Sequence, residues 1–252
     1  NSGWSLEAAL DVEWAHAIAP QAKILLVEAR SASGNNLLAA VDYARKQPGV
    51  VAVSMSWGGS EFAGQTAYDS YFTSAAGAAF FAASGDGGNG VFWPAVSSNV
   101  TAVGGTTLSL NPDGSVASEV AWPGSGGGVS AYTPKPAYQS ALSATGRSIP
   151  DVAYDADPAT GFSVYSSVRY SGVKGWFQVG GTSAGTPQWA AIYALGGTAT
   201  NTQLYADAAG PGYANVLQDI ITGSNGACGA VCTAGPGYDA VTGLGTPLTT
   251  AF

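Results

Sequence analysis

The chain has 252 residues, a formal net charge of −8 and 46% hydrophobic residues. This is enough apolar sequence for the core of one globular domain over residues 1–252, and it excludes a disordered chain. Only 8 side chains are Lys or Arg, against 16 that are Asp or Glu. Binding to nucleic acid needs clustered cations, and a membrane span needs ~20 apolar residues in a row. We therefore expect neither a nucleic-acid partner nor a membrane segment.

In chain order, helical patterns alternate with short apolar strands. Ser5 can cap a helix that stops at Pro20, because proline disrupts a continuing helix. The run 22–28 is apolar without alternation, which is typical of a parallel strand covered on both faces. The following predicted elements are a helix at 36–47, a strand at 50–56, a helical stretch that ends near Ala76, and strands at 78–83 and 100–103. This alternation predicts an α/β domain with a parallel sheet flanked by helices, and ligands then bind at the carboxyl ends of the strands.

The second half of the chain begins with a Gly-, Pro- and Ser-rich stretch at 109–177, which contains the hairpin-turn sequence NPDG at 111–114. Residues 178–195 then return to a strand, a tight glycine turn and a helix, with Ser183 on the turn. A helix amino terminus beside a serine favours negative charge that develops nearby. The sequence around Ser183 also fits the G-x-S-x-G turn of α/β-hydrolases, but an esterase of that class needs a histidine after the serine. The single histidine, His16, lies upstream. The alternative is a serine that only caps a helix.

Glu7 and Asp11 are four residues apart on the first predicted helix. This spacing places both carboxyl groups on one face with their Cβ atoms ~6 Å apart, so that they can share a proton. Such a pair can serve as a base and its orienting partner in acid, and the alternative is a solvated acidic first turn. His16 faces away from both, and we interpret it as a partly buried structural histidine.

Asp86 lies on a glycine-rich loop after a buried strand. A phosphate-binding loop there would need a Gly-Lys-Ser/Thr sequence, which is missing, and a solvent-facing turn aspartate is the alternative. Cys228 and Cys232 are close in sequence, and with one histidine they are too few for a zinc site. They predict a short-loop disulfide and an oxidising compartment, with free thiols as the alternative.

Together these segments resemble the sedolisin family, serine-carboxyl peptidases with a subtilisin-like fold. The matching stretches are EAALDVEWAHAIAP at 7–20, SMSWGG at 54–59, SGD at 84–86, SGGGVS at 125–130, PDV at 150–152, ADP at 156–158 and GTSAGTP at 181–187. The resemblance implies that Ser183 is the nucleophile, Glu7 the general base, Asp11 its orienting partner and Asp86 the stabiliser of the oxyanion. It implies an endopeptidase that works in acid through an acyl-enzyme, with protein or peptide substrates. The implied substrate-binding residues are Trp57, Gly58, Gly59, Gly126 and Gly127.

The carboxyl end resembles the calcium site of the same family. The implied ligands are the carboxylates of Asp219 and Asp239 and the carbonyl groups of Ile220, Gly235 and Gly237. An all-oxygen set of this kind suits a hard cation such as Ca²⁺. A disulfide between Cys228 and Cys232 would brace the loop between the ligand segments. The alternative interpretation is a turn-rich tail without a metal.

Catalytic domains of this family carry further sheet strands ahead of the base helix, and the sequence lacks them. We therefore expect an upstream segment of the same precursor to be held non-covalently as a separate chain. The alternative is a non-catalytic fragment or pseudoenzyme of the same fold. All four implied catalytic residues are present, which favours an enzyme. The sparse charge and the likeness to acid peptidases lead us to expect a secreted protein in an acidic extracellular setting.

Overall fold

A computed structural model of the protein describes residues 2–197 and 200–250. The α-helices of this part are α1 Ser2–Ile18, α2 Gly34–Ala44, α3 Thr182–Ala194, α4 Asn201–Ala208 and α5 Tyr213–Val216. The strands are β1 Ala52–Met55, β2 Gly59–Ser60, β3 Ala79–Ala83, β4 Phe92–Trp93, β5 Thr101–Leu110, β6 Val116–Ala121, β7 Gly128–Pro134, β8 Gly146–Ile149, β9 Val152–Asp155, β10 Phe162–Tyr170, β11 Val173–Val179, β12 Leu217–Gln218 and β13 Thr246–Pro247. None of these helices is long and apolar enough to cross a membrane.

The central sheet has the order β1–β3–β5–β6, and β9 also pairs with β5. The strands β1, β3, β5 and β9 run parallel, whereas β6 returns antiparallel to β5 through the predicted hairpin turn. Alternate residues of each strand face opposite layers, so that Phe80 packs with α2 on one side and Phe81 packs with α3 on the other. This two-sided burial explains the unbroken apolar runs and confirms the predicted α/β fold with a parallel-rich sheet.

Helix α1 packs against α3 and against the hairpin of β10 and β11. Leu6 and Leu10 of α1 form a buried cluster with Val164 and Ala184. The Trp14 indole N–H donates to the Ser163 carbonyl oxygen at 3.1 Å. These contacts fix α1, and with it Glu7 and Asp11, beside the start of α3.

Residues 22–28 do not form the predicted strand. They have no regular secondary structure, and Ile24, Leu25 and Leu26 are 42%, 48% and 53% exposed. The apolar run is suited to a covered strand, but no strand of the described residues pairs with it. The segment predicted as helical before Ala76 is a 3₁₀-helix at Gln65–Phe72.

Candidate active site

A cleft of about 450 Å³ lies at the carboxyl ends of β1 and β3, which meet the amino end of α3 there. The residues that line it are Trp4, Ala32, Leu37, Ser56, Trp57, Gly58, Ala83, Gly85, Asp86, Gly87, Phe92, Thr182 and Ser183. This is the edge of a parallel sheet at which ligands bind in α/β proteins. The segments that the sequence singled out around residues 57, 86 and 183 therefore meet in one cavity.

Ser183 is the second residue of α3 and is partly exposed in the cleft. Gly181 precedes the helix with a φ angle of 104°, a conformation that side chains rarely adopt. A Cβ atom on Gly181 would also lie 2.7 Å from Asp86 Oδ2. The glycine is therefore required both for the sharp turn and for the close approach of Asp86.

Glu7 approaches Ser183 from α1, close enough for the hydroxyl group of Ser183 to act on the pKa of its carboxyl group. Burial raises the pKa of Glu7, the hydroxyl group of Ser183 opposes this effect, and the nearby Asp86 adds to it. Glu7 Oε1 is buried and has no hydrogen-bond partner among the described residues. The carboxyl group is therefore directed at the hydroxyl group of Ser183 in a partly desolvated position.

Asp11 lies one helical turn after Glu7. Burial raises the pKa of Asp11 to about 8, the Glu7 carboxyl adds to this, and a hydrogen bond from Ser56 opposes it. Two close carboxyl groups with raised pKa values hold at least one proton between them in acid. The structure thus brings the carboxyl groups of Asp11 and Glu7 together with the hydroxyl group of Ser183, with Glu7 between the other two.

Ser56 is a contact residue that the sequence analysis missed. Its hydroxyl group donates to Asp11 Oδ1 at 2.7 Å, and its oxygen is 3.3 Å from the carbonyl oxygen of Ser183. The sequence could have indicated Ser56 by its position at the carboxyl end of a predicted parallel strand, where ligand-binding residues are found in α/β proteins.

Asp86 is held against the start of α3. Its Oδ1 atom accepts hydrogen bonds from the backbone N–H and the hydroxyl group of Thr182, at 2.7 and 2.9 Å. The hydroxyl oxygen of Thr182 accepts in turn from the Gly85 N–H at 3.1 Å. Asp86 therefore presents its other oxygen, Oδ2, beside Gly181 and the Ser183 turn.

The structure places the predicted substrate-binding residues in different surroundings. Trp57 and Gly58 line the cleft, and Gly59 pairs with Trp93 in the ribbon of β2 and β4. Gly126 and Gly127 are buried, the first against the backbone of residues 84–85 and the second against that of Ala240. Their role in substrate binding stays a prediction. Phe92 was missed, and it lines the cleft close to Gly58 and Gly85.

His16 is exposed near the end of α1 and does not line the cleft. The interpretation as a partly buried histidine was wrong, because α1 turns this position outward, away from α3 and the hairpin. Its direction away from the cleft agrees with the helical spacing.

The carboxyl-terminal segments that contain Asp219 and Asp239 adjoin each other. The N–H of Gly237 donates to Asp219 Oδ2 at 2.8 Å, and the N–H of Gly235 donates to Asp239 Oδ2 at 3.1 Å. Burial raises the pKa of Tyr213, and the negative charges of Asp219 and Asp239 add to this effect. Both carboxyl groups therefore lie near the side chain of Tyr213. No cluster of three or more His, Cys, Asp or Glu side chains suited to a metal occurs among the described residues. The predicted calcium ligands are two carboxylates and three backbone carbonyl groups, so they do not form such a side-chain cluster. Their oxygen atoms nevertheless fit a hard cation. Cys228 and Cys232 form the predicted disulfide.

Three comparisons relate this chain to known proteins. A sequence model of the subtilase family matches residues 6–221. Kumamolisin of Bacillus sp. (strain MN-32) is 34% identical over 96% of this chain and 49% of that protein, and sedolisin of Pseudomonas sp. (strain 101) is 34% identical over 62% of this chain and 28% of that protein. The structure of Pseudomonas sedolisin, a serine-carboxyl proteinase complexed with two molecules of pseudo-iodotyrostatin, matches with a TM-score of 0.79 and 27% identity, over 96% of this chain and 75% of that chain. The chain thus spans about half, or less, of the curated relatives it matches.

Proposed function

This chain belongs to the subtilase family, in its sedolisin branch of serine peptidases, and we propose that it is an acid-acting serine-carboxyl endopeptidase with Glu7 as general base. The observation that carries the proposal is the approach of the Glu7 carboxyl group to the hydroxyl group of Ser183 at the start of α3, with Asp11 one turn later on α1. No histidine lies near Ser183, so a carboxylate is the base that the cleft offers to this hydroxyl group.

In the first step, the Oγ atom of Ser183 attacks the carbonyl carbon of the scissile peptide bond, and the carboxylate of Glu7 takes the hydroxyl proton. Glu7 then delivers this proton to the leaving amine as the C–N bond breaks, which leaves an acyl ester on Ser183. In the second half, a water molecule attacks the ester, Glu7 takes its proton, and Ser183 regains a proton as the acid product leaves. Asp11 fixes the orientation of Glu7 and shares a proton with it.

The oxygen that becomes negative during each attack needs a hydrogen-bond donor. Oδ2 of Asp86 faces the turn of Ser183, while Oδ1 is occupied by the two donors of Thr182. Only the protonated carboxyl group of Asp86 can donate through Oδ2, so the reaction requires acid. The N-terminal end of α3 adds a favourable dipole at the same place.

The cleft favours an apolar substrate side chain close to the scissile bond. The ring of Phe92 lies within 3.0 Å of the position that a Cβ atom on Gly85 would take, and within 3.3 Å of the corresponding position on Gly58. Trp4, Leu37 and Trp57 add further apolar surface. A substrate side chain that enters between the two glycines therefore meets an aromatic ring, and Asp86 is the charged residue in the lining of the cleft.

We further place a calcium ion at the carboxyl end, held by Asp219, Asp239 and the carbonyl groups of Ile220, Gly235 and Gly237. The bound ion would tie two loop segments together and so stabilise the folded form. Secretion into an acidic medium is consistent with the disulfide of Cys228 and Cys232.

An additional strand beside residues 22–28 is also part of the proposal. Ile24, Leu25, Leu26 and Val51 are 42–53% exposed, and residues 22–28 have no strand partner among the described residues. Exposed, unpaired apolar chain of this kind is normally covered. An upstream segment of the same precursor, bound non-covalently, would supply the missing strand.

Cleavage of an acid-denatured protein between pH 3 and pH 8 tests the proposed function. We expect cleavage with an acid optimum, its loss in Ser183→Ala, and its retention in the control His16→Gln. A preparation that contains the upstream segment and still cleaves nothing would identify a non-catalytic member of the fold. Equal losses in Ser183→Ala and His16→Gln, with both variants folded, would contradict the carboxylate mechanism.

A further inference from the structure

Ser56 connects the two helices of the site. It is buried, with 8% of its surface exposed, just after the end of β1. Its hydroxyl group donates to Asp11 Oδ1 at 2.7 Å, and its oxygen lies 3.3 Å from the carbonyl oxygen of Ser183. One buried hydroxyl group thus contacts Asp11 on α1 and the first turn of α3.

A hydroxyl group has a single proton, which it can donate fully to only one of two acceptors at a time. A carboxylate is the stronger acceptor, because a hydrogen bond to an ionised group is shorter and stronger than one to a neutral carbonyl. The proton of Ser56 therefore goes to Asp11 whenever Asp11 is ionised. When Asp11 binds a proton, the hydroxyl group of Ser56 can rotate toward the carbonyl oxygen of Ser183.

Few other charged groups surround Asp11. The charged or titratable side chains on α1, on α3 and on the hairpin of β10 and β11 are Glu7, Glu13, His16, Tyr165, Arg169, Tyr170, Tyr193 and the exposed Lys174. Glu13 accepts from the backbone N–H of Tyr165, His16 is exposed, and Arg169 donates to the carbonyl oxygen of Gly172. Asp86 acts on the pair through Glu7.

No Lys or Arg in this set compensates the charge of Asp11, so donation from Ser56 favours its ionised form against burial and the charge of Glu7. The hydrogen bond lowers the pKa of Asp11 against the larger, opposite effect of burial. The two carboxyl groups share protons, so a change at Asp11 also changes the pH at which Glu7 becomes available as a base.

We infer that Ser56 is a positioning residue of the proposed peptidase reaction, which keeps the Glu7–Asp11 pair ionised to lower pH and aligns it with the Ser183 turn. The inference rests on the proposed function for its catalytic consequence. The proton affinity of Asp11 can be measured without any cleavage, so the two proposals can fail separately.

The first experiment measures the titration of Asp11 by carboxyl ¹³C NMR in a Ser183→Ala background, in which self-cleavage is absent. Replacing Ser56 by Ala should raise the titration midpoint of Asp11 by about one pH unit, since a hydrogen bond to a charged group typically changes proton affinity tenfold or more. Ser56→Thr keeps the hydroxyl group and should restore the midpoint. Ser54→Ala, an exposed serine on β1, is the matched control and should leave the midpoint unchanged.

The second experiment measures kcat/KM against pH for an internally quenched peptide, with the active chain. Ser56→Ala should move the acid limb upward by about one pH unit, and Ser56→Thr should return it. A midpoint of Asp11 that does not move in Ser56→Ala overturns the inference, and so does an equal shift in Ser56→Thr and Ser56→Ala, which would indicate packing alone. If the NMR shift occurs and a wild-type preparation that contains the upstream segment cleaves nothing, the proposed function fails while the proton linkage stands.

A folding failure in Ser56→Ala is detected by circular dichroism. Ser56→Cys is then used, because its thiol group has nearly the same shape and is a weaker donor. It should shift the Asp11 midpoint in the same direction by a smaller amount. An unchanged midpoint in the folded Cys variant would also overturn the inference.

Discussion

Replacing Asp11 by Asn should make the protein less sensitive to pH. Burial raises the pKa of Asp11 to about 8 in the folded chain, whereas an unfolded aspartate titrates near ~3.9. Between these values the folded state holds a proton that the unfolded state has lost. The free energy of unfolding therefore falls as pH rises through this window, and Asp11 gives its full stabilisation only below it.

The size of the effect follows from this difference. Each unit of pKa difference corresponds to ~1.4 kcal/mol, so titration at Asp11 removes about 4 kcal/mol of stability between pH 4 and pH 7 with Glu7 held in one state. Asn cannot ionise, and its side-chain oxygen can still accept from the hydroxyl group of Ser56. Asp11→Asn should thus equal the parent near pH 4 and exceed its stability at pH 7 by up to about 4 kcal/mol.

Urea unfolding measures this prediction at pH 4, 5.5 and 7. Both chains carry Ser183→Ala, so that self-cleavage does not distort the transitions, and their slopes against urea should agree. Glu28→Gln, at an exposed position, is the control and should leave the pH dependence as it is. Parallel curves of stability against pH for Asp11→Asn and its parent would refute the reasoning. They would show that Asp11 has the same pKa in the folded and the unfolded chain.

Three further changes test other parts of the site. Asp86→Asn keeps a hydrogen-bond donor for the oxyanion but does not titrate, so the alkaline limb of kcat/KM should move to higher pH, and an unchanged profile at full rate would remove Asp86 from the reaction. In a panel of matched peptides, Phe92→Ala should raise kcat/KM for a large aromatic side chain at the scissile bond relative to kcat/KM for a small one. Equal changes in kcat/KM for both kinds of peptide would contradict the packing of Phe92 between Gly58 and Gly85. Chelation of calcium should lower Tm, and Asp239→Ala should also lower Tm and abolish the response to the chelator. A Tm that neither the chelator nor the substitution changes would favour the alternative, a turn-rich tail without a metal.

The sequence predicted the local parts of this fold well. The spacing of Glu7 and Asp11 fixes their common helix face, and the apolar runs at 50–56 and 78–83 became β1 and β3 within two residues at either end. These features depend on neighbours along the chain. The run at 22–28 has the same local character but is not a strand, because pairing depends on a partner strand elsewhere, which the pattern of one segment does not report.

Contacts between distant segments were harder to predict. Ser56 and Ser183 are separated by 127 positions, and Phe92 meets Gly58 and Gly85 through the folding of a separate ribbon. The resemblance of motifs brought Glu7, Asp86 and Ser183 into one hypothesis. It included Ser56 in the matching stretch 54–59 without assigning it a contact, and it did not include Phe92, because their roles arise from distances that only the folded chain has.

Burial of carboxyl groups away from cations favours the folded state in acid, the condition in which we propose that the site works. Burial raises the pKa of Asp69, Glu119 and Asp155 as it does for Asp11. Each accepts from a hydroxyl group: Ser97 at 2.7 Å, Thr106 at 2.7 Å and Thr160 at 2.9 Å, respectively. Ion pairs of the described residues involve only two carboxylates, Asp42 and Asp151. Acid therefore breaks few attractive pairs, whereas neutral pH forces charge onto several desolvated carboxyl groups. Protonation of these buried carboxyl groups therefore favours the folded state.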